Sequence, residues 1–332
     1  MVFSQNNLDG IIPPLVTPFD ENEEINYKQL SDEINFHLKF NIRGLIVGGS
    51  TGEGYSLSDD ELSNLCEFTI NKVKNKFPVI AGIITNSTRD AIRKSLLVKD
   101  KGVDGLMITP IQYFRTNDEG AFSFYNDIGK KVNLPIIVYN VVSNNPILPN
   151  VLENISNIEQ IIGIKQSIGD GSNSPDGQVA VLADIINKLG SKLSILSSYD
   201  PVIFPGLVMG ARGSIGAINT ILPDLSVKLY ESVCEGNLEK AKDIFYKMYP
   251  ISRLLKNDNW PSRVKTAINL QGRSVGIARK PMTLLNKIEL KEVNNILRLS
   301  VILYSLSNEI NFPFPSISHL GFGLFPLKSL IH

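Results

Sequence analysis

A lysine stands at the end of a strongly apolar segment near the middle of the chain. Lys165 follows three isoleucines in the sequence IIGIKQS. An apolar environment disfavours the ammonium form of a lysine, and the neutral amine is a nucleophile that forms a Schiff base with a carbonyl compound. The same position also suits a lysine whose aliphatic stem packs while its charged end reaches water. Position alone leaves both readings open.

Two further segments place hydroxyl groups where apolar runs end. Tyr139 lies in the run IIVYN, where a phenol can move a proton to or from a reacting oxygen, or simply pack as an aromatic. Residues 48–53 read GGSTGE, in which glycines let a ligand approach the backbone while Ser50 and Thr51 offer hydroxyl and amide groups to a carboxylate. A tight turn is the alternative there, and the lysine of a phosphate-binding loop is missing.

Eight short apolar runs, rich in Ile and Val, predict strands that are buried on both faces. They cover residues 10–16, 44–49, 79–84, 105–109, 136–140, 161–166, 193–198 and 213–218. Segments with helical spacing of apolar residues separate most of them, at 27–40, 59–74, 88–101 and 178–189. Eight such units predict an α/β fold of the (β/α)8 TIM barrel type, whereas an open doubly wound sheet usually has about five or six strands. A parallel barrel builds its active site at the carboxyl ends of the strands, where Lys165, Tyr139 and Ser50 lie.

The rest of the chain predicts a C-terminal helical appendage to the barrel. Helical patterns follow the last strand at 224–235, 237–255, 261–271, 281–288 and 292–305. We therefore divide the chain into a barrel at 1–225, a C-terminal helical region at 226–306 and an irregular tail of unknown role at 307–332. The sequence predicts the start of two helices, because Ser58 with Glu61 fits a capping box and Asn117 precedes a helical run.

Composition narrows the classes of partner and chemistry. The 332 residues include 33 Lys and Arg against 33 Asp and Glu, a balance that disfavours nucleic acid and anionic membrane as partners. Only three His and two Cys occur, too few for a multi-histidine metal site or a disulfide framework, and His37 is expected to be a surface or packing residue. The chain shows neither a signal peptide nor an apolar run of about 18 residues, so we expect a cytoplasmic protein.

The order and spacing of several segments resemble those of the dihydrodipicolinate synthase and N-acetylneuraminate lyase family, pyruvate-dependent Schiff-base aldolases on a (β/α)8 barrel. The resemblance runs from about residue 8 to residue 299. It is carried by GIIPPLVTPF at 10–19, GGSTGE at 48–53, TPIQYF at 109–114, VYN at 138–140, GIK at 163–165, GARGSIGAI at 210–218 and GIARKP at 276–281.

The resemblance implies catalytic roles for individual residues. Lys165 matches the family's Schiff-base lysine and Tyr139 its proton-shuttling tyrosine. Ser50 and Thr51 match the hydroxyl pair that holds the carboxylate of pyruvate, with Ser50 also relaying the proton. Tyr113 resembles the tyrosine that synthases of the family insert into a neighbouring subunit's site, although the loop spacing differs by one residue.

The resemblance also implies partners and assembly. Ile215 lies near the position whose backbone carbonyl lines the pyruvate pocket. Family members are commonly homotetramers built from tight dimers, and they need no cofactor beyond the covalent Schiff base with the substrate. The partners expected from this are a small 2-oxo acid and an aldehyde.

Departures from the family pattern concern the aldehyde. Asn144 stands where dihydrodipicolinate synthases place the arginine that binds aspartate semialdehyde, and a neutral amide cannot form that bidentate charged clamp. Sialic acid lyases carry an acidic residue where this chain has Pro201, although Asp200 is kept. The aldehyde is therefore unassigned, and the polar loop at 167–177 is either a recognition loop for a sugar-like aldehyde or a solvated loop.

Three readings of function follow. The main one is a class I aldolase or lyase that uses Lys165 and a 2-oxo acid. The second is 4-hydroxy-tetrahydrodipicolinate synthase activity on pyruvate and aspartate semialdehyde, with the carboxylate clamp supplied by Arg115 or Arg212. The third is a barrel that binds a 2-oxo acid without turnover, which would need neither a nucleophilic lysine nor a proton-shuttling tyrosine.

Overall fold

A computed structural model of the chain describes residues 3–168, 177–255 and 258–305. The predicted tail at 307–332 and most of the polar loop at 167–177 lie outside these residues.

Eight parallel strands form one sheet, in which β1 lies beside β8 and the remaining strands follow in reverse order down to β2. The strands are β1 (Gly10–Ile11), β2 (Leu45–Val47), β3 (Val79–Ile83), β4 (Gly105–Ile108), β5 (Ile136–Asn140), β6 (Ile161–Gln166), β7 (Ser194–Ser197) and β8 (Gly213–Ser214). A bridge between Pro14 and Ile46 joins the two ends of the sheet, and the Leu15 amide donates to the Ile46 carbonyl at 2.9 Å. The predicted (β/α)8 barrel is confirmed.

Twelve helices surround and extend the barrel within the described residues. They are α1 (Tyr27–His37), α2 (Asp59–Val73), α3 (Thr88–Asp100), α4 (Asp118–Val132), α5 (Pro149–Ile155), α6 (Gly177–Leu189), α7 (Ile203–Val208), α8 (Ala217–Ile221), α9 (Pro223–Cys234), α10 (Leu238–Leu254), α11 (Trp260–Asn269) and α12 (Lys287–Ser305). The predicted capping box is present, since Ser58 accepts from the Glu61 amide and Glu61 accepts from the Ser58 amide. The Asn117 side chain caps α4 by accepting from the Gly120 amide.

One helix prediction is wrong in its placement. The segments 281–288 and 292–305 are predicted to form two helices, but residues 281 and 282 form a turn and a bend, residues 283–286 have no regular structure, and a single helix begins at Lys287. Asn286 sets that start, because its side chain accepts from the Ile288 and Glu289 amides while Glu289 accepts from the Asn286 amide. This reciprocal arrangement is a capping box that includes asparagine, and it favours a later start than the apolar spacing alone suggests.

Alternation along the strands separates two apolar layers. On β5, Ile136 and Val138 belong to the layer between strands and helices, whereas Ile137 and Tyr139 face the barrel interior. The interior is filled mainly by large side chains from the strands or from the residues directly after them: Ile12, Ile46, Ile80, Met107, Ile137, Leu196 and Ile215. Because this filling occupies the barrel interior, polar groups are accommodated at the carboxyl ends of the strands.

The C-terminal helices form a second apolar cluster beside the barrel. It joins residues of α7, α8 and α9 to residues of α10, α11 and α12, with Met248, Ile251 and Ile268 among its buried members. Helix α9 contacts β1 and runs across residue 225, the boundary expected from the sequence. The division into parts at 1–225, 226–306 and 307–332 stays a prediction. The packing of the C-terminal helices places the end of α10 and the start of α11 beside the mouth of the barrel.

Candidate active site

Lys165 lies inside the mouth of the barrel. Residue 164 on β6 belongs to the outer apolar layer, so alternation turns Lys165 inward, and only 3% of it is exposed. In the strand register Lys165 pairs with Tyr139 of β5. Its Nζ atom lies 3.7 Å from the centroid of the Tyr139 ring. The amine is thus held against an aromatic face in a buried position.

Tyr139 connects this lysine to the turn after β2. Its hydroxyl oxygen lies 3.3 Å from Ser50 Oγ, and either group can donate. Tyr139 is buried, with 4% exposure. Lys165, Tyr139 and Ser50 therefore form a continuous contact chain of an amine, a phenol and a hydroxyl, which is an arrangement that can move a proton near a bound carbonyl compound.

The turn at residues 48–54 presents Ser50 and Thr51. Its backbone is drawn tight by hydrogen bonds from the Gly54 amide to the Gly49 carbonyl, at 3.0 Å, and from the Glu53 amide to the Ser50 carbonyl, at 3.1 Å. A side chain on Gly54 would overlap the carbonyl of Gly48, so this packing requires glycine. The glycine-rich sequence thus gives a compact turn that holds the two hydroxyl side chains at the barrel mouth.

A cavity of about 340 Å³ opens at these groups, which is room for a small molecule. Ser50, Thr51, Tyr139, Lys165 and Asp200 all line it. Five of the eight site residues expected from the sequence therefore meet in one cavity. Two further hydroxyl groups in the wall follow β6 and β7, those of Ser167 and Ser198.

Asp200 occupies the side of the cavity formed after β7. Burial raises the pKa of its carboxyl to about 7, against a hydrogen bond from the Ile218 backbone and the nearby charge of Lys165, which both lower it. Its Oδ1 atom has no hydrogen-bond partner among the described residues, and a side chain at Gly216 would overlap that atom. Asp200 therefore lines the cavity with one buried carboxyl oxygen that has no partner among the described residues, and its binding of substrate stays a prediction.

The C-terminal helices supply a wall that the sequence did not predict. Ser252 and Leu255 at the end of α10 and Trp260 at the start of α11 line the cavity. The apolar spacing predicts both helices, but their position over the barrel mouth depends on how they pack against the distant barrel segments. No local spacing in the sequence signals such a contact.

Asn140 is a second residue whose role the sequence did not show. Its side-chain amide donates to the Ile147 carbonyl at 2.9 Å and to Gln166 Oε1 at 3.0 Å, while its oxygen accepts from the Ile147 amide. These bonds join the ends of β5 and β6 and fix the loop between β5 and α5. Asn140 thereby holds the strands that carry Tyr139 and Lys165 in register.

Tyr113 lies away from the cavity within the single chain. It is 77% exposed and its ring stacks edge-on against that of Phe114, which is also exposed, with centroids 4.8 Å apart. The backbone amides of Gln112 and Tyr113 both donate to Asn86 Oδ1, which fixes the loop. The role of Tyr113 in a neighbouring subunit's site stays a prediction.

Asn144 also lies outside the residues that line the cavity. Its amide donates to the Gln112 carbonyl at 3.0 Å, so it joins two loops at the barrel mouth. Ile215 is fully buried in the barrel interior, and its own amide donates to the Ser197 carbonyl. Substrate binding by Asn144 and Ile215 stays a prediction.

The two arginines considered as a carboxylate clamp have different positions. Arg212 precedes β8, and its guanidinium donates to the Asn6 carbonyl at the amino-terminal end of the barrel, opposite Lys165. It cannot act in this cavity. Arg115 lies on the exposed loop that carries Tyr113 and does not line the cavity of its own chain.

The described residues give no sign of a metal centre or a membrane span. No group of three or more His, Cys, Asp or Glu side chains among them is arranged to hold a metal ion. None of the described helices combines the length and apolarity needed to cross a bilayer. His37 is buried and bonded to Glu33 at 3.1 Å, as expected for a packing residue.

Comparison with known proteins identifies a family model and relatives that this sequence matches over most of its length. The model of the dihydrodipicolinate synthetase family matches residues 7–300. The 4-hydroxy-tetrahydrodipicolinate synthase of Caldicellulosiruptor saccharolyticus is 33% identical over 295 residues, which cover 88% of this chain and 96% of the relative.

Solved structures of dihydrodipicolinate synthases are also similar to this chain. The chloride-inhibited dihydrodipicolinate synthase of Acinetobacter baumannii in complex with pyruvate matches with a TM-score of 0.83 and 26% identity, over 89% of this chain and 99% of that one. A dihydrodipicolinate synthase described as the first monomeric variant matches equally well, with a TM-score of 0.83 and 26% identity over 90% of this chain and 98% of that one.

Proposed function

Because the chain belongs to the dihydrodipicolinate synthetase family, whose members are pyruvate-dependent lyases, we propose that it is a class I aldolase acting through Lys165. The observation that carries this proposal is the buried contact chain of Lys165, Tyr139 and Ser50 at the wall of one cavity. The structural neighbour solved in complex with pyruvate supports pyruvate, or another 2-oxo acid, as the first substrate.

The proposed reaction begins at the lysine. The Nζ atom of Lys165 adds to the ketone carbon of the 2-oxo acid, and loss of water gives an iminium ion. The hydroxyl and amide groups of Ser50 and Thr51 bind the carboxylate. The iminium draws electrons from the adjacent carbon, so a proton can leave that carbon toward Tyr139 and the resulting enamine can attack an aldehyde. Ser50 relays the proton, and the reverse sequence breaks the same carbon–carbon bond.

This chemistry asks for no metal or organic cofactor. The iminium ion acts as the electron sink, a function that other aldolases obtain from a metal ion. The groups that the proposal needs are an amine, a phenol and hydroxyls, all of which line the cavity.

The test is reductive trapping. Incubation with pyruvate and borohydride should leave a reduced pyruvate adduct on the peptide that contains Lys165, detected by mass spectrometry. Lys265 is an internal control, since it is equally buried but bonded to Glu53 and the Ile277 carbonyl and should remain unmodified. Absence of an adduct on Lys165, or equal labelling of Lys265, would overturn the proposal.

A second candidate is 4-hydroxy-tetrahydrodipicolinate synthase activity, which the name and 33% identity of a full-length relative favour. Asn144 argues against this activity, because its side chain is neutral and its amide donates to the Gln112 carbonyl. A panel of aldehydes in coupled assays separates the two. Faster turnover of aspartate semialdehyde than of neutral hydroxylated aldehydes would assign the synthase activity to this chain, and no faster turnover would remove it. Formation of a product from any aldehyde excludes the third reading, in which the barrel binds a 2-oxo acid without turnover.

A further inference from the structure

The turn that carries Ser50 and Thr51 ends in a buried carboxylate. The side chain of Glu53 has no exposed surface, and its Oε1 atom lies 2.6 Å from the ammonium nitrogen of Lys265. Its Oε2 atom accepts from the backbone amide of Arg279 at 2.9 Å. Both oxygens are therefore held by groups from the C-terminal part of the chain, more than two hundred residues away.

The partners of Glu53 are themselves fixed. The Lys265 ammonium also donates to the Ile277 carbonyl at 2.6 Å and lies over the ring of Phe19, 4.4 Å from its centroid. The Arg279 guanidinium donates to both oxygens of Glu61 and to the Ser56 carbonyl just beyond the turn. The ion pair with Lys265 and the hydrogen bond from the Arg279 amide therefore join the Glu53 carboxylate to groups that are themselves held in place.

The backbone of Glu53 passes this constraint to the catalytic hydroxyls. Its φ of 54° is in the left-handed region, which a non-glycine residue occupies only when its surroundings hold it there. Its amide donates to the Ser50 carbonyl at 3.1 Å. The carboxylate contacts on one side and this amide bond on the other therefore set the direction of the turn at Ser50 and Thr51.

The same ion pair joins the turn to a helix that contributes to the cavity wall. Lys265 lies on α11, the helix whose first residue, Trp260, lines the cavity. The pair of Glu53 and Lys265 therefore locks the turn of β2 to the helix that supplies an outer wall. Two apolar side chains would suit stability as well as a buried ion pair does, so a positional role accounts better for the charges.

We propose that Glu53, through its ion pair with Lys265, is a positioning residue that keeps Ser50 within reach of Tyr139 and holds Thr51 against the substrate carboxylate. This rests on the proposed function, since it assumes that Ser50 and Tyr139 move the proton. Neither Glu53 nor Lys265 touches the substrate in this proposal.

The test uses exchange of the methyl protons of pyruvate in D2O, followed by proton NMR, which needs no aldehyde. Lys165 and pyruvate form the iminium with loss of water, a methyl proton leaves to Tyr139, a deuteron returns, and hydrolysis releases deuterated pyruvate. Glu53→Gln should lower the exchange rate at saturating pyruvate about ten- to a hundredfold, because small misplacements of catalytic groups have effects of this size. It should also raise the half-saturating pyruvate concentration, and Lys265→Met should do the same.

Glu33→Gln is the matched control. Glu33 is also a buried glutamate paired with a cation from the C-terminal part, Arg273 at 3.0 Å, and neither residue lines the cavity. This variant should lose stability while its exchange rate and half-saturating concentration stay within about twofold of the parent. A loss of exchange in Glu33→Gln equal to that in Glu53→Gln would show a general effect of buried charge and overturn the positioning role.

The outcomes separate the two proposals. No exchange by the unaltered chain contradicts the proposed function itself. Exchange by the unaltered chain together with parent-like kinetics in Glu53→Gln and Lys265→Met overturns only the positioning role. Borohydride trapping at saturating pyruvate should still label Lys165 in both variants, and loss of that label would mean that the site has collapsed, which also overturns it. If either single variant is not recovered folded, the double variant Glu53→Gln with Lys265→Met carries the test, because it removes both charges and leaves neither of them buried without a partner.

Discussion

At the residue scale, the site depends on Tyr139, which contacts both Lys165 and Ser50. Tyr139 contacts Lys165 through its ring and Ser50 through its hydroxyl, so the two functions of the side chain can be separated by removing one oxygen atom. A phenylalanine keeps the packing against the amine and removes the proton carrier.

We expect Tyr139→Phe to lower pyruvate proton exchange by about two to four orders of magnitude, the usual contribution of a general acid–base group. Reductive trapping on Lys165 should persist, because the amine is intact. Tyr125→Phe is the control, since Tyr125 is a fully buried tyrosine whose hydroxyl donates to the Ile108 carbonyl away from the cavity. Parent-like exchange in Tyr139→Phe would show that another group moves the proton.

Asp200 gives a prediction about pH. Burial raises the pKa of its carboxyl to about 7, above the unfolded value near 3.8, so the folded protein binds more protons than the unfolded chain between these values. Stability from this group is fully present below about pH 4 and is lost as the pH rises through about 7. Asp200→Asn should therefore gain more in free energy of unfolding, relative to the parent, at pH 8 than at pH 4. Urea denaturation at both values measures this, and an equal difference at the two would contradict it.

At the element scale, the turn after β2 depends on close backbone packing that no other residue type allows. Gly54 lies against the Gly48 carbonyl, while Gly102, at a φ of 90°, has no atom near the place where a side chain would begin. The two glycines therefore separate the effect of overlap from the effect of conformation.

Gly54→Ala should cost about 1–3 kcal/mol in stability, as expected for forced backbone shifts in a packed site, and should reduce pyruvate exchange as Ser50 moves. Gly102→Ala should cost about 1–2 kcal/mol through its left-handed conformation alone and leave exchange unchanged. Chemical denaturation and the NMR exchange assay measure the two effects. Equal losses of exchange in both variants would mean that exchange follows stability and not the geometry of the turn.

The elements also show what the sequence could predict and why. The bounds of β5 and β6 match the apolar runs residue for residue, because each run is buried on both faces and closed by polar residues. The run at 10–16 gives a strand of only two residues, since Pro13 and Pro14 have no amide hydrogen for the ladder. The proximity of Lys165 and Tyr139 at the barrel mouth was predictable from the sequence, because the carboxyl ends of neighbouring strands converge in a parallel barrel. Trp260 and the partner of Glu53 were not, because both depend on packing between segments far apart in the chain.

At the scale of the whole molecule, one exposed aromatic pair suggests how chains associate. Tyr113 and Phe114 are 77% and 71% exposed on a loop that is held by Asn86. Two large aromatic side chains on an ordered surface are typical of a protein interface. We propose that they contribute to a subunit contact within a homotetramer, as the family resemblance implies.

The double substitution of Tyr113→Ser and Phe114→Ser should shift the assembly toward smaller species in sedimentation velocity. The loss of buried aromatic area at an interface accounts for the direction. Leu284→Ser together with Ile288→Ser is a control that removes two exposed apolar side chains elsewhere, near the start of α12. An unaltered sedimentation coefficient in the first variant, or a parent chain that is already monomeric, would contradict the proposed contact.

The closure of the barrel has a consequence for how the chain acquires its shape during synthesis. Gly10 on β1 pairs with Gly213 on β8, and the turn after β2 finds its ion-pair partner only at Lys265. Ribosomes add about 5–20 residues per second, so the edge of β1 stays unpaired for many seconds before β8 has been synthesised. Contacts this distant along the chain also slow folding. The emerging polypeptide therefore has no complete cavity until Trp260 and Lys265 have been made, which ties the appearance of activity to the synthesis of α11.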